Sequence, residues 1–186
     1  MKKVVSMILC AVLMLGVFAG CGAQKPEDVI KSEFKAISSL KDDEYTKVLG
    51  DSLGQSGLGT DNEEKLVEAL LKNLSCETGK STVNGDTATV SCKITNVNFG
   101  EAIQQGYQDA LANAIANMGT LSEDELTQQT SDILVDALVN ADASNKITLD
   151  VNIELKKVSG KWEIQESDEL TNAIVGDMIN AMQELQ

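Results

Sequence analysis

The sequence contains no histidine and no arginine, and these absences remove two common components of active sites. Histidine is the usual general base near neutral pH and a frequent ligand of zinc, and arginine forms bidentate hydrogen bonds to phosphate groups. Aromatic residues make up only 3% of the chain, which argues against a surface that stacks on sugars or nucleotide bases. We therefore predict no catalytic residues, no metal and no cofactor.

Basic residues are also scarce relative to acidic ones. The chain has 15 basic and 29 acidic residues and a net charge of −14. A charge of this sign repels nucleic acid and the surface of an anionic membrane. We therefore expect no nucleic-acid partner, and any attachment to a membrane has to come from covalently bound lipid.

The first 21 residues have the pattern of an export signal. Lys2 and Lys3 precede an apolar run at 4–17, and the small residues Ala19 and Gly20 follow it. The apolar run is too short to cross about 30 Å of hydrocarbon as a helix. The pattern therefore indicates a signal peptide.

Residues 18–21, Phe-Ala-Gly-Cys, resemble the lipobox of bacterial lipoproteins. In that family the cysteine is joined to diacylglycerol by a thioether, and the peptide is cleaved before it. The resemblance implies a signal peptide at 1–20, lipid attachment at Cys21, a lipidated tether at 21–25, and an extracytoplasmic location on the cell membrane. Phe18 departs from the aliphatic residue usual at the first lipobox position. The alternatives are an ordinary signal peptide or an uncleaved anchor.

The remaining residues, 26–186, are predicted to form a single α+β domain. Cleavage removes Lys2 and Lys3, which leaves 13 of the 15 basic residues beside 29 acidic ones and a net charge of −16. A domain of this length can bury an ordinary hydrophobic core. Apolar residues at helical spacing and capping residues predict a short helix capped by Asp42 and five main helices, which begin near Pro26, Thr60, Glu101, Ser122 and Ser167.

Alternating apolar and polar residues predict two β-hairpins. The segments 87–94 and 147–155 each alternate strictly. A two-residue turn at Ser159 and Gly160 would pair Leu155 with Ile164 and Lys157 with Trp162. Because each hairpin has one apolar face, we predict helices packed on one face of a curved four-stranded antiparallel sheet.

Two cysteines remain available for pairing in the folded domain, Cys76 and Cys92, since Cys10 leaves with the signal peptide and Cys21 is lipidated. A three-residue loop at 83–85 would place them directly opposite each other, within the Cα separation that a disulfide requires. A two-residue loop at 84–85 would place them on opposite faces. The three-residue register predicts a disulfide between Cys76 and Cys92.

The order of elements, with hairpin motifs at 83–86 (Val-Asn-Gly-Asp) and 159–164 (Ser-Gly-Lys-Trp-Glu-Ile), resembles small uncharacterised lipoproteins of Gram-positive bacteria. Those proteins have a cystatin-like domain, also called nuclear-transport-factor-2-like. The resemblance implies a curved sheet around a long helix with a conical cavity, which some members use for catalysis and many for binding. The polar catalytic residues of the enzymes have no counterpart here, because histidine is absent.

Tyr107, Leu149 and Trp162 are candidates to line such a cavity, but core packing is favoured for Tyr107 and Trp162, because each lies on the apolar face of its own element. The two helices predicted between 101 and 139 are expected to fill the cone. We therefore expect a non-catalytic binding or protein-interaction module with a protein partner. The alternatives are a small-ligand-binding protein or an enzyme that uses carboxylate, Tyr, Lys or Ser groups in the cavity.

Overall fold

The computed structural model describes residues 24–39 and 60–185, and for 60–64 it describes the backbone alone. The predicted signal peptide, Cys21 and the short helix predicted from Asp42 lie outside these residues, so all three stay predictions. In this part of the chain no helix is both long enough and apolar enough to cross a membrane. The elements in chain order are α1 (Pro26–Ser38), α2 (Thr60–Lys72), β1 (Ser75–Asn84), β2 (Thr87–Val97), α3 (Phe99–Ala116), α4 (Glu123–Val139), β3 (Lys146–Val158), β4 (Lys161–Ile164), α5 (Asp168–Ile174) and α6 (Met178–Glu184).

The four strands form one antiparallel sheet in the order β1-β2-β3-β4. Along β2 and β3, buried and exposed residues alternate as the sequence predicts. The apolar face of the sheet packs against α1, α2 and α5 in the main hydrophobic core. The predicted α+β fold, with helices on one face of a four-stranded antiparallel sheet, is confirmed.

The second hairpin has the predicted register. Leu155 lies opposite Ile164 and Lys157 lies opposite Trp162. Ser159 and Gly160 form the turn with φ angles of 53° and 82°. Positive φ at both turn residues suits the right-handed twist of the strands. The Lys157 ammonium lies 4.7 Å from the centre of the Trp162 ring, which adds a cation–π contact across the strand pair.

The first hairpin differs from both predicted loops. Asn84 lies opposite Thr87, so the loop consists of residues 85 and 86. The register set by this turn would place Cys76 opposite Thr95, which lies on the other face of the sheet from Cys92. A bulge between Thr78 and Ser81 shifts the register by one residue.

The predicted direct opposition of the two cysteines is therefore wrong. Cys76 lies opposite Ile94, and Cys92 lies opposite Thr78. Because the bulge restores the alternation, both cysteines nevertheless lie on the apolar face as diagonal neighbours.

The two thiols are free in the described structure and interact with each other. A hydrogen bond to Cys92, together with burial, raises the pKa of Cys76 above its usual range. The same hydrogen bond lowers the pKa of Cys92, so Cys92 loses its proton first.

The disulfide stays a prediction, and it rests on this contact and on the expected export of the chain. Protein purified without reductant should be lighter by two hydrogen atoms than the reduced form, and it should resist alkylation when denatured. For a closed loop of about 15 residues, reduction should lower the free energy of unfolding by roughly 3 kcal/mol. In a Cys76→Ser control, reductant should leave stability unchanged. Alkylation of both cysteines in the denatured, unreduced protein would contradict the prediction.

A buried asparagine joins the sheet to two helices. Asn96 lies near the end of β2 and is fully buried. Its side-chain NH₂ group donates to the carbonyl oxygens of Leu70 in α2 (2.8 Å) and Ile174 in α5 (2.6 Å), and its own oxygen accepts from the backbone N–H of Val97 (2.8 Å). The side chain thereby satisfies carbonyl groups at the ends of two helices, which would otherwise be buried without partners.

Candidate functional site

Helix α3 begins directly after β2 and leads away from the sheet. The Asn98 side chain caps it by accepting from the backbone N–H of Glu101 at 3.2 Å. The side-chain amides of Asn98 and Asn145 donate to the Glu101 carboxylate at 3.2 and 2.9 Å, which ties the first turn of α3 to the start of β3. The position of α3 is therefore fixed at its N-terminal end.

One face of α3 is buried against its neighbours in a second hydrophobic core. The buried residues of this face include Phe99, Ile103, Gly106 and Ala110. Helix α4 packs here, and a Cβ atom at Gly106 would lie 2.7 Å from the side chain of Ala137. Only glycine permits this close approach of the two helices.

Helix α4 runs back along α3, and its start is well capped. Ser122 and Glu125 form the predicted capping box. Hydrogen bonds from the backbone and side chain of Ser122 lower the pKa of Glu125, so this carboxyl stays ionised at neutral pH. Further along, Asn113 on α3 donates to Gln129 on α4 at 2.8 Å. The two helices thus form a hairpin, here called the α3–α4 hairpin.

Helix α6 covers another face of α3, but only over its first two turns. A Cβ atom at Gly100 would contact Ala181, and Gln104 donates to the Glu184 carboxylate at 3.2 Å. The two helices therefore run in the same direction, and α6 ends at Glu184 beside Gln104. Beyond Glu184, the same face of α3 continues but is no longer covered by α6.

On that continuing face four large apolar side chains lie exposed, and we call them the α3 stripe. They are Tyr107, Leu111, Ile115 and Met118, with 40%, 47%, 63% and 75% of their surface exposed. Tyr107, Leu111 and Ile115 are spaced four residues apart on α3, which places them within about 80° of one another around the helix axis. Met118 follows in the turn after the helix ends at Ala116. In the sequence, these residues and the buried residues of α3 form one continuous apolar pattern. The expectation that Tyr107 packs in the core is wrong.

The α3–α4 hairpin carries no positive charge. Residues 94–145 include eight acidic residues and no basic residue. Within 102–122 the single charged residue is Asp109. Glu123, Asp124 and Glu125 follow in the first turn of α4, at the same end of the hairpin as Met118. The α3 stripe is thus an uncharged apolar strip on an acidic element.

The residues predicted to line a cavity do not come together. Leu149 and Trp162 are partly buried against the main core, whereas Tyr107 belongs to the α3 stripe. The expectation that the two helices of the hairpin fill the cone is also wrong. Among the described residues, the core on the sheet is filled by α1, α2 and α5, and α3 and α4 contribute nothing to it.

Among the grooves lined by described residues, two are open to solvent. The larger of the two, about 590 Å³, is lined by residues of α3, by the end of α4 and by Leu185, and it includes Glu101 and Asn145. The smaller, about 470 Å³, lies between α5 and α6 and is lined mainly by polar side chains. Neither groove contains Tyr107, Leu149 or Trp162.

One buried carboxyl lies away from these grooves. Glu33 on α1 is 6% exposed, and its Oε2 atom has no hydrogen-bond partner in the described part of the chain. Burial raises the pKa of Glu33 to about 6. A raised carboxyl pKa is expected of a general acid or base in a cavity, but Glu33 lines neither groove.

Comparison with family models gives a match over most of the described structure. Residues 29–179 match the model described as Domain of unknown function (DUF5105). The chain belongs to the DUF5105 family. This range includes all four strands, α3 and α4. A search of the curated proteins finds no match.

A solved structure with a similar fold is that of YcdA, an inferred lipoprotein of Bacillus subtilis. The sequence identity is 15% and the TM-score is 0.51. The match covers 92% of this chain and 56% of the YcdA chain, so the DUF5105 protein spans about half the length of that neighbour. The similarity shows a shared fold, and the cystatin-like assignment stays a prediction.

Proposed function

We propose that this DUF5105 protein is a lipid-anchored extracytoplasmic lipoprotein whose domain is a non-catalytic protein-interaction module, with the α3 stripe as its docking surface. The resemblance of residues 18–21 to a lipobox and the description of YcdA as an inferred lipoprotein support the anchor at Cys21. The α3 stripe carries the assignment of the interaction surface.

The arrangement of the exposed side chains supports docking. Scattered exposed apolar residues are ordinary on protein surfaces, whereas a contiguous row of large ones marks an interaction site. Tyr107, Leu111 and Ile115 form such a row along α3, and Met118 extends it into the turn after Ala116. Complete burial of a side chain of this size is favourable by about 1.5–3 kcal/mol. A side chain that is only partly exposed gains a proportionate share of this free energy when a partner covers it.

The stripe is also held rigidly before any partner arrives. Asn98 and Asn145 fix the start of α3, and α4 packs along its length through Gly106 and Asn113. A preorganised surface loses little conformational entropy on binding. The partner protein therefore meets a site that needs no refolding of the hairpin.

A small-ligand site or an enzyme is the alternative. Both would be served by an enclosed cavity lined by convergent polar groups. The two grooves described above are open, and Glu33 with its raised pKa lies in neither. These observations favour a protein partner.

The test is photo-crosslinking in the cells that naturally make the protein. A photoreactive residue at position 111 should give a defined adduct with one protein, identified by mass spectrometry. The double variant Ile115→Gln, Met118→Gln should reduce the adduct about tenfold, because a loss of about 1.4 kcal/mol lowers affinity by that factor. Gln is a good helix former, so the hairpin should stay folded.

Val83→Gln is the matched control, since Val83 is 52% exposed but lies at the tip of the first hairpin. It should leave the adduct unchanged. Equal adduct yields from the double variant and the original chain would overturn the assignment of the stripe. Turnover of a substrate by the purified protein would overturn the non-catalytic assignment.

A further inference from the structure

We propose that the α3 stripe binds a cationic amphipathic helix of the partner protein, which lies along α3 in line with α6. This inference rests on the proposed function, and it adds the shape and the charge of the partner segment.

The helical shape of the partner segment is inferred from how α6 already packs on this face of α3. Helix α6 packs over Gly100 and ends beside Gln104, and the α3 stripe begins one turn later on the same face. Positions 100, 104, 107 and 111 lie within about 60° of one another around the α3 axis. The surface that accepts one helix over the first turns of α3 therefore continues into the stripe, and a second helix fits there end to end with α6.

The length of the stripe sets the length of the segment. From Tyr107 to Ile115 the helix rises about 12 Å, and Met118 extends the stripe into the turn that follows Ala116. A partner helix with apolar residues at positions i, i+3, i+4 and i+7 covers this length, as in other helix-in-groove complexes.

The positive charge of the partner segment is inferred from the acidic residues on and around the α3–α4 hairpin. Residues 94–145 carry eight acidic groups with no basic residue to balance them, and Glu123, Asp124 and Glu125 lie beside the Met118 end of the stripe. Glu184 lies beside the other end, at Gln104. A helix with Lys or Arg around its apolar face would neutralise these groups and associate faster through electrostatic steering.

The same charges disfavour two other occupants. A second copy of this chain would bring two acidic hairpins together, and the whole chain already has a net charge of −14. An anionic lipid surface would be repelled by the acidic turn at Glu123 to Glu125, whereas membrane-binding helices are rich in basic residues.

The test uses two synthetic helical peptides of about 15 residues with identical leucine faces. One peptide has lysine and the other glutamate on the polar face, and each is titrated against the full chain in a non-ionic detergent by fluorescence anisotropy. The lysine peptide should bind at least about tenfold more tightly. The difference should shrink when the salt concentration rises from about 0.05 to 0.5 M, because salt screens exposed charges.

Two double variants separate the apolar contribution from the charge contribution. Ile115→Gln, Met118→Gln should weaken binding of both peptides about tenfold. Glu123→Gln, Asp124→Asn should weaken the lysine peptide about threefold to tenfold and leave the glutamate peptide unchanged or tighter. The matched control is Asp168→Asn, Glu169→Gln, which removes the same charges from the first turn of α5 and should have no effect.

If the two peptides bound with equal affinity and the stripe variant weakened the binding of both, the inferred charge would be overturned and the proposed function would stand. Binding of the lysine peptide that the stripe variant does not weaken would overturn the inferred site. Self-association of the chain that disappears in the stripe variant would assign the surface to a second copy and would also overturn the inference.

Discussion

Replacing Asn96 with aspartate should destabilise the protein by about 3–5 kcal/mol at pH 7, although the two side chains have nearly the same shape. The Asn96 amide donates to the carbonyl oxygens of Leu70 and Ile174. Aspartate would lose both donors and place a buried negative charge against two oxygens. The deficit should appear as a lower midpoint in urea denaturation with an unchanged m-value.

The deficit should also depend on pH in a defined direction. The folded protein would raise the pKa of the new carboxyl above its unfolded value of about 3.9. Below that value both states are protonated, so the penalty for burying charge is absent. As the pH rises, the unfolded state loses its proton first, and the variant becomes less stable relative to the original chain.

Asn152→Asp is the matched control for this substitution. Asn152 is exposed on β3, and its oxygen accepts from the Ser91 hydroxyl at 3.1 Å, a bond that aspartate can keep. This variant should lie within about 0.5 kcal/mol of the original chain. If Asn96→Asp were equally mild, the hydrogen bonds of Asn96 would not hold the helices to the sheet.

Gly176→Ala should cost at least about 3 kcal/mol, since it combines two separate penalties. Gly176 has φ of +55°, which an L-residue adopts at a cost of about 1–2 kcal/mol. A Cβ atom there would also overlap the carbonyl oxygen of Val97 and crowd the Phe99 ring at 3.0 Å. The backbone between β2 and α3 would have to move away from the turn that joins α5 to α6.

Gly85→Ala isolates the first penalty, because Gly85 has φ of +62° but no atom within 4 Å of the added Cβ among the described residues. The free energy of unfolding of the Gly85→Ala variant should be lower than that of the original chain by about 1 kcal/mol. Urea denaturation of the two variants should therefore differ by about 2 kcal/mol or more. Equal losses would show that the β2–α3 junction tolerates a side chain at position 176.

Local patterns were sufficient where a turn and an alternating strand agreed. The second hairpin was predicted to the residue, because Ser159 and Gly160 suit a two-residue turn and any other register would turn apolar side chains to solvent. The helix start at Ser122 was likewise predicted from its capping box. In both places the determining interactions lie within a few residues of each other.

The first hairpin shows where such reasoning fails. Four consecutive residues at 83–86 can form several loops, and β1 is too polar to select a register through burial. The bulge between Thr78 and Ser81 then changed the relation of Cys76 to Cys92. Asn96 was missed as well, although the alternation from Ala88 in steps of two residues places it on the buried face.

The sequence by itself determined the α+β fold, the strand faces and the helical character of α3, because these depend on the periodicity of apolar residues. The DUF5105 fold alone decided which apolar residues of α3 are covered. Ile103 and Ala110 meet neighbouring elements, whereas Leu111 and Ile115 lie where α6 no longer reaches. Periodicity shows that a helix has an apolar face, but how much of that face is buried depends on where distant segments pack.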